Sequence, residues 1–323
     1  MELARLARLI GAPGDGLAGA PVVSGLARPT DAGCDDLTYF DPRYCALADV
    51  AATCAAAVLT APRDAAALEG LRCLPVDDVV TSCARASAWL TPRRPCHAAG
   101  RGVAAGASIH PGAVLGAAVD VGCGTCIEAG AVIGEGVTIG DWCTIGAGAV
   151  IAAGVSVGNR VRIGAGCAIG ETGFAFVADG AQWLQMPALG GAVIEDDVTI
   201  LARAVVHAGV FGTTRIGRGC ALDSLVLIGH DAALGAHTVI AGHSAVAGNA
   251  RIGSGCRIGG RVGIGEGVTV ADGVTIGASS MVARSITQVG AAYASGWPAQ
   301  PRLRWWRQVA ALRRGAMRPQ DNG

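Results

Sequence analysis

The chain has 323 residues, of which 50 are glycine, with 51% hydrophobic and only 4% aromatic side chains. That hydrophobicity excludes disorder, glycines without a three-residue period exclude collagen, and so few large rings exclude a core packed around aromatics. The 25 basic residues, all arginine, are matched by 25 acids, so no net charge points to nucleic acid or a membrane surface.

Residues 1–98 carry no short repeat and read as a small α/β domain. Helix-like runs cover Ala46–Ala56 and Val79–Leu90, and strand-like runs cover Leu37–Phe40, Ala57–Leu59 and Leu71–Val76. The opening MELARLARLIGAPGDG has no uninterrupted apolar segment followed by a cleavage site. No stretch of about 18 unbroken apolar residues occurs anywhere. Neither a secretory signal nor an integral membrane segment is expected, and the expected localisation is cytoplasmic. Pro92-Arg93-Arg94-Pro95 reads as a linker. Of the twelve cysteines the only close pair is Cys123 and Cys126, a lone CxxC; reduced thiols and no metal site are the expectation.

From Val103 to Ile169 an aliphatic residue recurs every six positions. The register breaks over residues 171–193, resumes at Ile194, Ile200 and Val206, slips by four, and then runs from Ile216 to Val282. All 27 ladder positions are Ile, Leu or Val. A helix repeats a face every 3.6 residues and a strand every two, so a strict period of six fits a strand plus a corner. Glycine commonly follows the aliphatic residue, and Gly, Asn or Asp often stands two positions later; both places are expected to supply the positive φ of a tight turn. Three units close a coil of 18 residues, and coils stack as parallel rungs about 4.8 Å apart. The expected fold is therefore mainly β, a parallel β-helix of about nine coils over residues 99–290 with a loop insertion at 171–193. Residues 291–323 form a C-terminal extension, in which Arg302–Arg314 reads as a short basic helix.

Stacking places residues 18 apart one above the other. His230 follows its inward Ile228 by two and stands at a corner, with Gly248 directly above it. A base beside a glycine N–H is the minimum apparatus for acyl transfer: one takes the proton of the attacking group, the other stabilises the oxyanion. Asp231 and Asp223 are carboxylates able to orient an imidazole or a substrate. The ordinary alternative for a corner histidine is a solvated surface residue. His237 and His243, later in their units, read as packing or surface groups, and His97 and His110 lie far from these coils.

Gly170-Glu171-Thr172-Gly173-Phe174 with Trp183 and Pro187, the stretch LDSLVLIGHDAALG followed by AVAGN, and YASGWPAQP with Trp306-Arg307 resemble the UDP-3-O-(3-hydroxyacyl)glucosamine N-acyltransferases of lipid A biosynthesis. DDLTYFDPRY resembles that family's uridine-binding segment. The resemblance implies a left-handed β-helix and a homotrimer with active sites between subunits. It implies transfer of a 3-hydroxyacyl group from acyl carrier protein, whose phosphopantetheine thioester is the co-substrate, to the 2-amine of UDP-3-O-acylglucosamine, with no resident cofactor. It puts His230 on the general base, Gly248 on the oxyanion N–H and Asp223 on an acid beside the base. Arg284 falls on a site arginine, Tyr39 on the aromatic that stacks on uracil, and Tyr44 on a second nucleobase contact.

Three departures stand out. Gly267 replaces a second histidine, His207-Ala208-Gly209 replaces Asp-Arg-Gly, and Asp41 replaces an asparagine in a segment one residue shorter. Asp231 and His207 join the substrate-side candidates, His207 as a residue able to approach a neighbouring subunit's site. The basic C-terminal helix is set either to face an acidic carrier protein or simply to be solvated. Two further readings stay open: an N-acyltransferase for a different amine, and a trimeric scaffold without catalysis. A metal-dependent hydratase needs three convergent histidines, and His230 does not share the unit position of His237 and His243.

Overall fold

The computed structural model describes residues 1–13, 17, 20–94, 102–296 and 299–316; Pro95, His97 and the tail beyond 316 lie outside them. The first part is α/β as expected. Its five parallel strands run in the order Cys73–Pro75, Ala57–Thr60, Asp36–Phe40, Gly25–Leu26, Thr91–Pro92. Helix Val79–Ser87 starts where Asp78 accepts the N–H groups of Val80 and Thr81. The alanine-rich run from Ala46 is helical only over Leu47–Ala51. Thr53 leaves to bond the Pro29 carbonyl and the Ala56 N–H turns to Asp36, so sheet pairing overrides helix propensity. Helix Leu3–Ile10, which no motif announced, buries Leu3, Leu6, Ala7 and Ile10 on one face.

From Val103 the chain winds into a parallel β-solenoid whose three sheets hold nine, eight and ten strands. Ladder residues stack as the period requires: Ile133 on Ile151, Ile145 on Ile163, Ile228 on Val246. From Val121 on they form a continuous buried column, with Ile109 and Leu115 partly buried against it and Val103 exposed, each buried side chain gaining about 1.5–3 kcal/mol over exposure. That gain offsets a backbone ordering cost of about 1–2 kcal/mol per residue. A second inward column lies two residues before the first and was not read from the sequence. Cys143, Cys167, Cys220 and Cys256 fill it, which accounts for four cysteines as small core groups. Thr125 and Thr238 also stand there, each hydroxyl donating to a carbonyl 15 residues on and accepting an N–H 18 residues on. Buried polarity is thereby satisfied coil by coil.

The corners correct the expectation about glycine. All twelve non-glycine residues with positive φ, among them Trp142, Asp231, His237, His243 and Asn249, stand three positions after a ladder residue. The turn is made there, at about 1–2 kcal/mol for a residue with a side chain. The glycine directly after the ladder residue usually has ordinary φ and answers to a different constraint. A Cβ on Gly229 would lie 2.5 Å from the Gly248 nitrogen in the next coil, so the close approach of coils demands it.

Both interruptions of the register leave the solenoid to pack under the N-terminal domain. The first is the antiparallel hairpin Phe176–Asp179 and Gln182–Gln185, held by Arg85 to Asp179 at 2.6 Å. The second is the loop 208–213. Ala175, Met186, Leu189, Val210 and Phe211 share one core with the N-terminal helices and strands. The expected linker is likewise tied down, Arg94 donating to the Gly170 carbonyl at 2.6 Å. The last solenoid strand, Ala292–Tyr293, lies past the expected end at 290, and the C-terminal helix spans Arg302–Ala316. No helix among the described residues is long and apolar enough to cross a membrane.

Candidate active site

The ladder fixes Ile228 inside, and two residues later the corner turns His230 outward, its side chain only 13% exposed. Its Nδ1 lies 3.0 Å from Oδ2 of Asp231. Asp231 occupies the positive-φ position, which aspartate tolerates better than most residues. Its buried carboxylate also accepts the N–H of Val210 at 2.8 Å and of Gly212 at 2.6 Å, while its own N–H donates to Thr214 at 2.8 Å. The four-residue slip after Val206 thus builds the loop that clamps Asp231, and Asp231 clamps the imidazole. A carboxylate on Nδ1 keeps the ring proton there and leaves the Nε2 lone pair free to act as a base.

Nε2 faces Gly248. A Cβ at 248 would lie 2.5 Å from Nε2 and 2.7 Å from Cε1, so the imidazole covers ground that only glycine leaves open. The carbonyl of Gly248 accepts from Gly267 at 3.0 Å. Its N–H has no acceptor among the described residues, so a donor stands beside a base one coil apart.

Two grooves meet at this point. One, of about 230 Å³, runs under the N-terminal domain past Tyr44, Phe211 and Asn249; the other, of about 370 Å³, runs along the solenoid past Leu227, Ala245, Gly263 and Met281. They share Phe174, His230 and Glu266. The second follows the nine-stranded sheet, where the outward residue of each strand pair, from Val114 and Val132 through Leu227 to Met281, is apolar. The eight-stranded sheet instead presents Asp120, Thr138, Arg215 and Arg251 at the equivalent positions.

The other expected site residues divide. Asp223 is not brought to His230 within one chain: it stands at a different corner, where its carboxylate accepts the N–H groups of Ser224 at 2.7 Å and Gly242 at 2.9 Å. The carboxylate found beside Nδ1 of His230 is that of Asp231. Tyr39 is corrected more sharply. It is 1% exposed, its hydroxyl donating to the Phe211 carbonyl at 3.3 Å, and burial raises its pKa. It supports a stack of rings from beneath, with Phe211 4.6 Å from Tyr39 and 4.6 Å from Tyr44. Tyr44, 39% exposed, is the ring that reaches the groove. Asp41 is buried and paired with Arg43 at 2.6 Å, and the hydrogen bonds from Arg43 hold its carboxyl below the usual range. Its carboxylate also accepts the Arg43 N–H at 3.0 Å, while its backbone carbonyl accepts the N–H groups of Tyr44 and Cys45, which corrects its assignment to the substrate. Arg284 is exposed, at the same unit position as Gly248 and Glu266 and one coil beyond Glu266. His207 lies in the apolar groove of its own subunit with His230, and burial first, then the nearby His230, lowers its pKa. Phe174, Phe211 and Glu266 were missed as lining residues because two of them sit where the repeat fails.

Comparison with known proteins gives two repeat families. The bacterial transferase hexapeptide (six repeats) matches residues 118–153 and 249–284, and the hexapeptide repeat of succinyl-transferase matches 136–171. A UDP-3-O-acylglucosamine N-acyltransferase of Delftia acidovorans (strain DSM 14801 / SPH-1) is 36% identical over 294 residues, covering 90% of this chain and 84% of the relative. A protein of the same name from Methylobacillus flagellatus is 40% identical over 146 residues, 45% of this chain and 41% of its own. Among solved structures, a UDP-N-acetylglucosamine acyltransferase from Campylobacter jejuni matches 57% of this chain and 68% of its own at 26% identity, with a TM-score of 0.39.

Proposed function

The chain belongs to the UDP-3-O-acylglucosamine N-acyltransferase family, and from that premise we propose the reaction and the residues that perform it. A 3-hydroxyacyl group moves from the phosphopantetheine thioester of acyl carrier protein to the 2-amine of UDP-3-O-acylglucosamine. The observation that carries this reading is the position of His230 where a groove under the N-terminal domain meets an apolar groove along the solenoid, beside the open Gly248 N–H.

The nucleotide part of the acceptor lies under the N-terminal domain against Tyr44, and the acyl chain lies along Leu227, Ala245 and Gly263 until Met281 narrows the groove. Nε2 of His230 removes a proton from the amine as its nitrogen bonds to the thioester carbonyl carbon. The Gly248 N–H holds the oxyanion, a donor worth about 3–4 kcal/mol in comparable sites. Collapse of the tetrahedral intermediate breaks the carbon–sulfur bond, and the imidazolium returns its proton to the departing sulfur. No resident cofactor enters. The apolar outward face of the nine-stranded sheet supports a homotrimer packed through it, and Asp223 contributes only if a neighbouring copy supplies it. The place of action that fits a carrier-protein donor is the cytoplasm.

Incubation with 3-hydroxyacyl carrier protein and UDP-3-O-acylglucosamine should yield the diacylated sugar nucleotide, detected by mass spectrometry. The burial of Tyr39 and the pairing of Asp41 favour one other reading, a different amine acceptor; turnover of another amine but not of this one would establish it. No turnover with any amine would leave a scaffold.

A further inference from the structure

We infer that His207 reads a polar substituent carried by the acyl chain close to its carbonyl carbon, and so sets which acyl donors are accepted. The inference rests on the acyl-transfer reading above and deepens it. The outward position directly after each ladder residue of the nine-stranded sheet is nearly bare: Gly116, Gly134, Ala152, Gly170, Gly229, Ala247, Gly265 and Ala283. Most are held bare by the next coil; a Cβ on Gly116 or Gly134 would fall within 2.7 Å of backbone. His207 is the exception in that column. It follows Val206 where the four extra residues lift the next segment away, which frees the space its ring takes.

The ring is placed rather than loose. It packs against the backbone of Gly173 in the first interruption, where a Cβ would stand 2.8 Å from Nδ1. It is half-buried, and its nitrogens make no hydrogen bond among the described residues. A half-buried imidazole without a partner is costly, and here it faces a groove whose other walls are Phe174, Leu227, Ala245, Ile264 and Met281. Glu266, the remaining polar group besides His230, is exposed and lines both grooves at their junction. His207 lines only the apolar one. A saturated chain gives its nitrogens nothing to bond. A hydroxyl near the carbonyl does, because the carbonyl itself must stand between His230 and Gly248. A site built to bond a hydroxyl rejects the analogue without it far more strongly than an apolar pocket distinguishes one methylene.

The test compares matched donors, the 3-hydroxyacyl and the unsubstituted acyl thioester of acyl carrier protein at equal chain length, in the wild type, His207→Leu and His207→Gln. The expected result is a kcat/KM ratio favouring the hydroxylated donor in the wild type. That ratio should fall about 10- to 100-fold in the leucine variant and be largely kept by glutamine, which still donates and accepts. An unchanged ratio in His207→Leu would overturn the inference, even with both activities lowered, because a packing role moves both donors together. A wild type that turns over neither donor would instead remove the acyl-transfer reading and the inference with it.

Discussion

Two corners of the solenoid share a backbone and differ in what they leave open. After the eight-stranded sheet, the second residue past the ladder has an N–H with no backbone partner, and at four of these corners a side chain from the next coil supplies one. Asp141 accepts from Cys123 at 2.8 Å, Asn159 from Asp141 at 2.9 Å, Asp196 from Asn159 at 2.7 Å and Asp272 from Ser254 at 2.7 Å. After the nine-stranded sheet the same position holds Gly248, and Glu266, one coil further, does not cap it. The fold produces an orphan donor at every turn. Where those four corners set a capping side chain against the donor, the corner at 248 sets a histidine ring beside it.

The strongest way to break the contrast is to remove that ring. His230→Ala is expected to lower kcat by about 10²- to 10⁴-fold with an unaltered melting temperature, read by steady-state assay and calorimetry. Next, Gly248→Ala keeps the N–H but sets a Cβ 2.5 Å from where Nε2 now lies, and the displaced base should cost about 10²-fold in kcat. Asp231→Ala should lower both activity and stability. It frees His230 and strands the N–H groups of Val210 and Gly212, at about 1–3 kcal/mol each, seen as a drop in denaturation midpoint. At the scaffold corner, Asp272→Ala should cost only about 0.5–1.5 kcal/mol and leave kcat alone; a loss of activity there would show that the two corners are not separable.

The smallest effect is expected from pH. His207 has its folded-state pKa below the ordinary 6.5, so the unfolded chain binds the proton first as pH falls. Its contribution to stability is complete above about pH 6.5 and is lost as pH falls toward the folded-state value. The difference in melting temperature between wild type and His207→Gln should therefore change below that pH and be flat above it.

Much of the site was legible because it is periodic. Once Ile228 and Val246 are rungs of one ladder, His230 and Gly248 must stand one coil apart, and no tertiary information is needed to say so. The periodic rule failed where the chain stops repeating. Asp231 was visible as a neighbour of His230, but its clamp comes from Val210 and Gly212 in the four-residue slip. Tyr39 and Asp41 matched a binding motif by position, whereas burial against Phe211 and pairing with Arg43 decided their roles. The second inward column went unread because Cys, Thr, Ala and Val share it, a mixture with size in common but no single residue type.

The amino-acid sequence thus determined by itself the solenoid, its coil length and the meeting of base and glycine, since a six-residue hydrophobic period admits one way of burying its ladder. The tertiary structure alone decided which carboxylate orients His230, which tyrosine reaches the groove and why His207 has room for a ring. Each of those depends on contacts between the coils and the non-repeating segments, and no spacing along the chain encodes them.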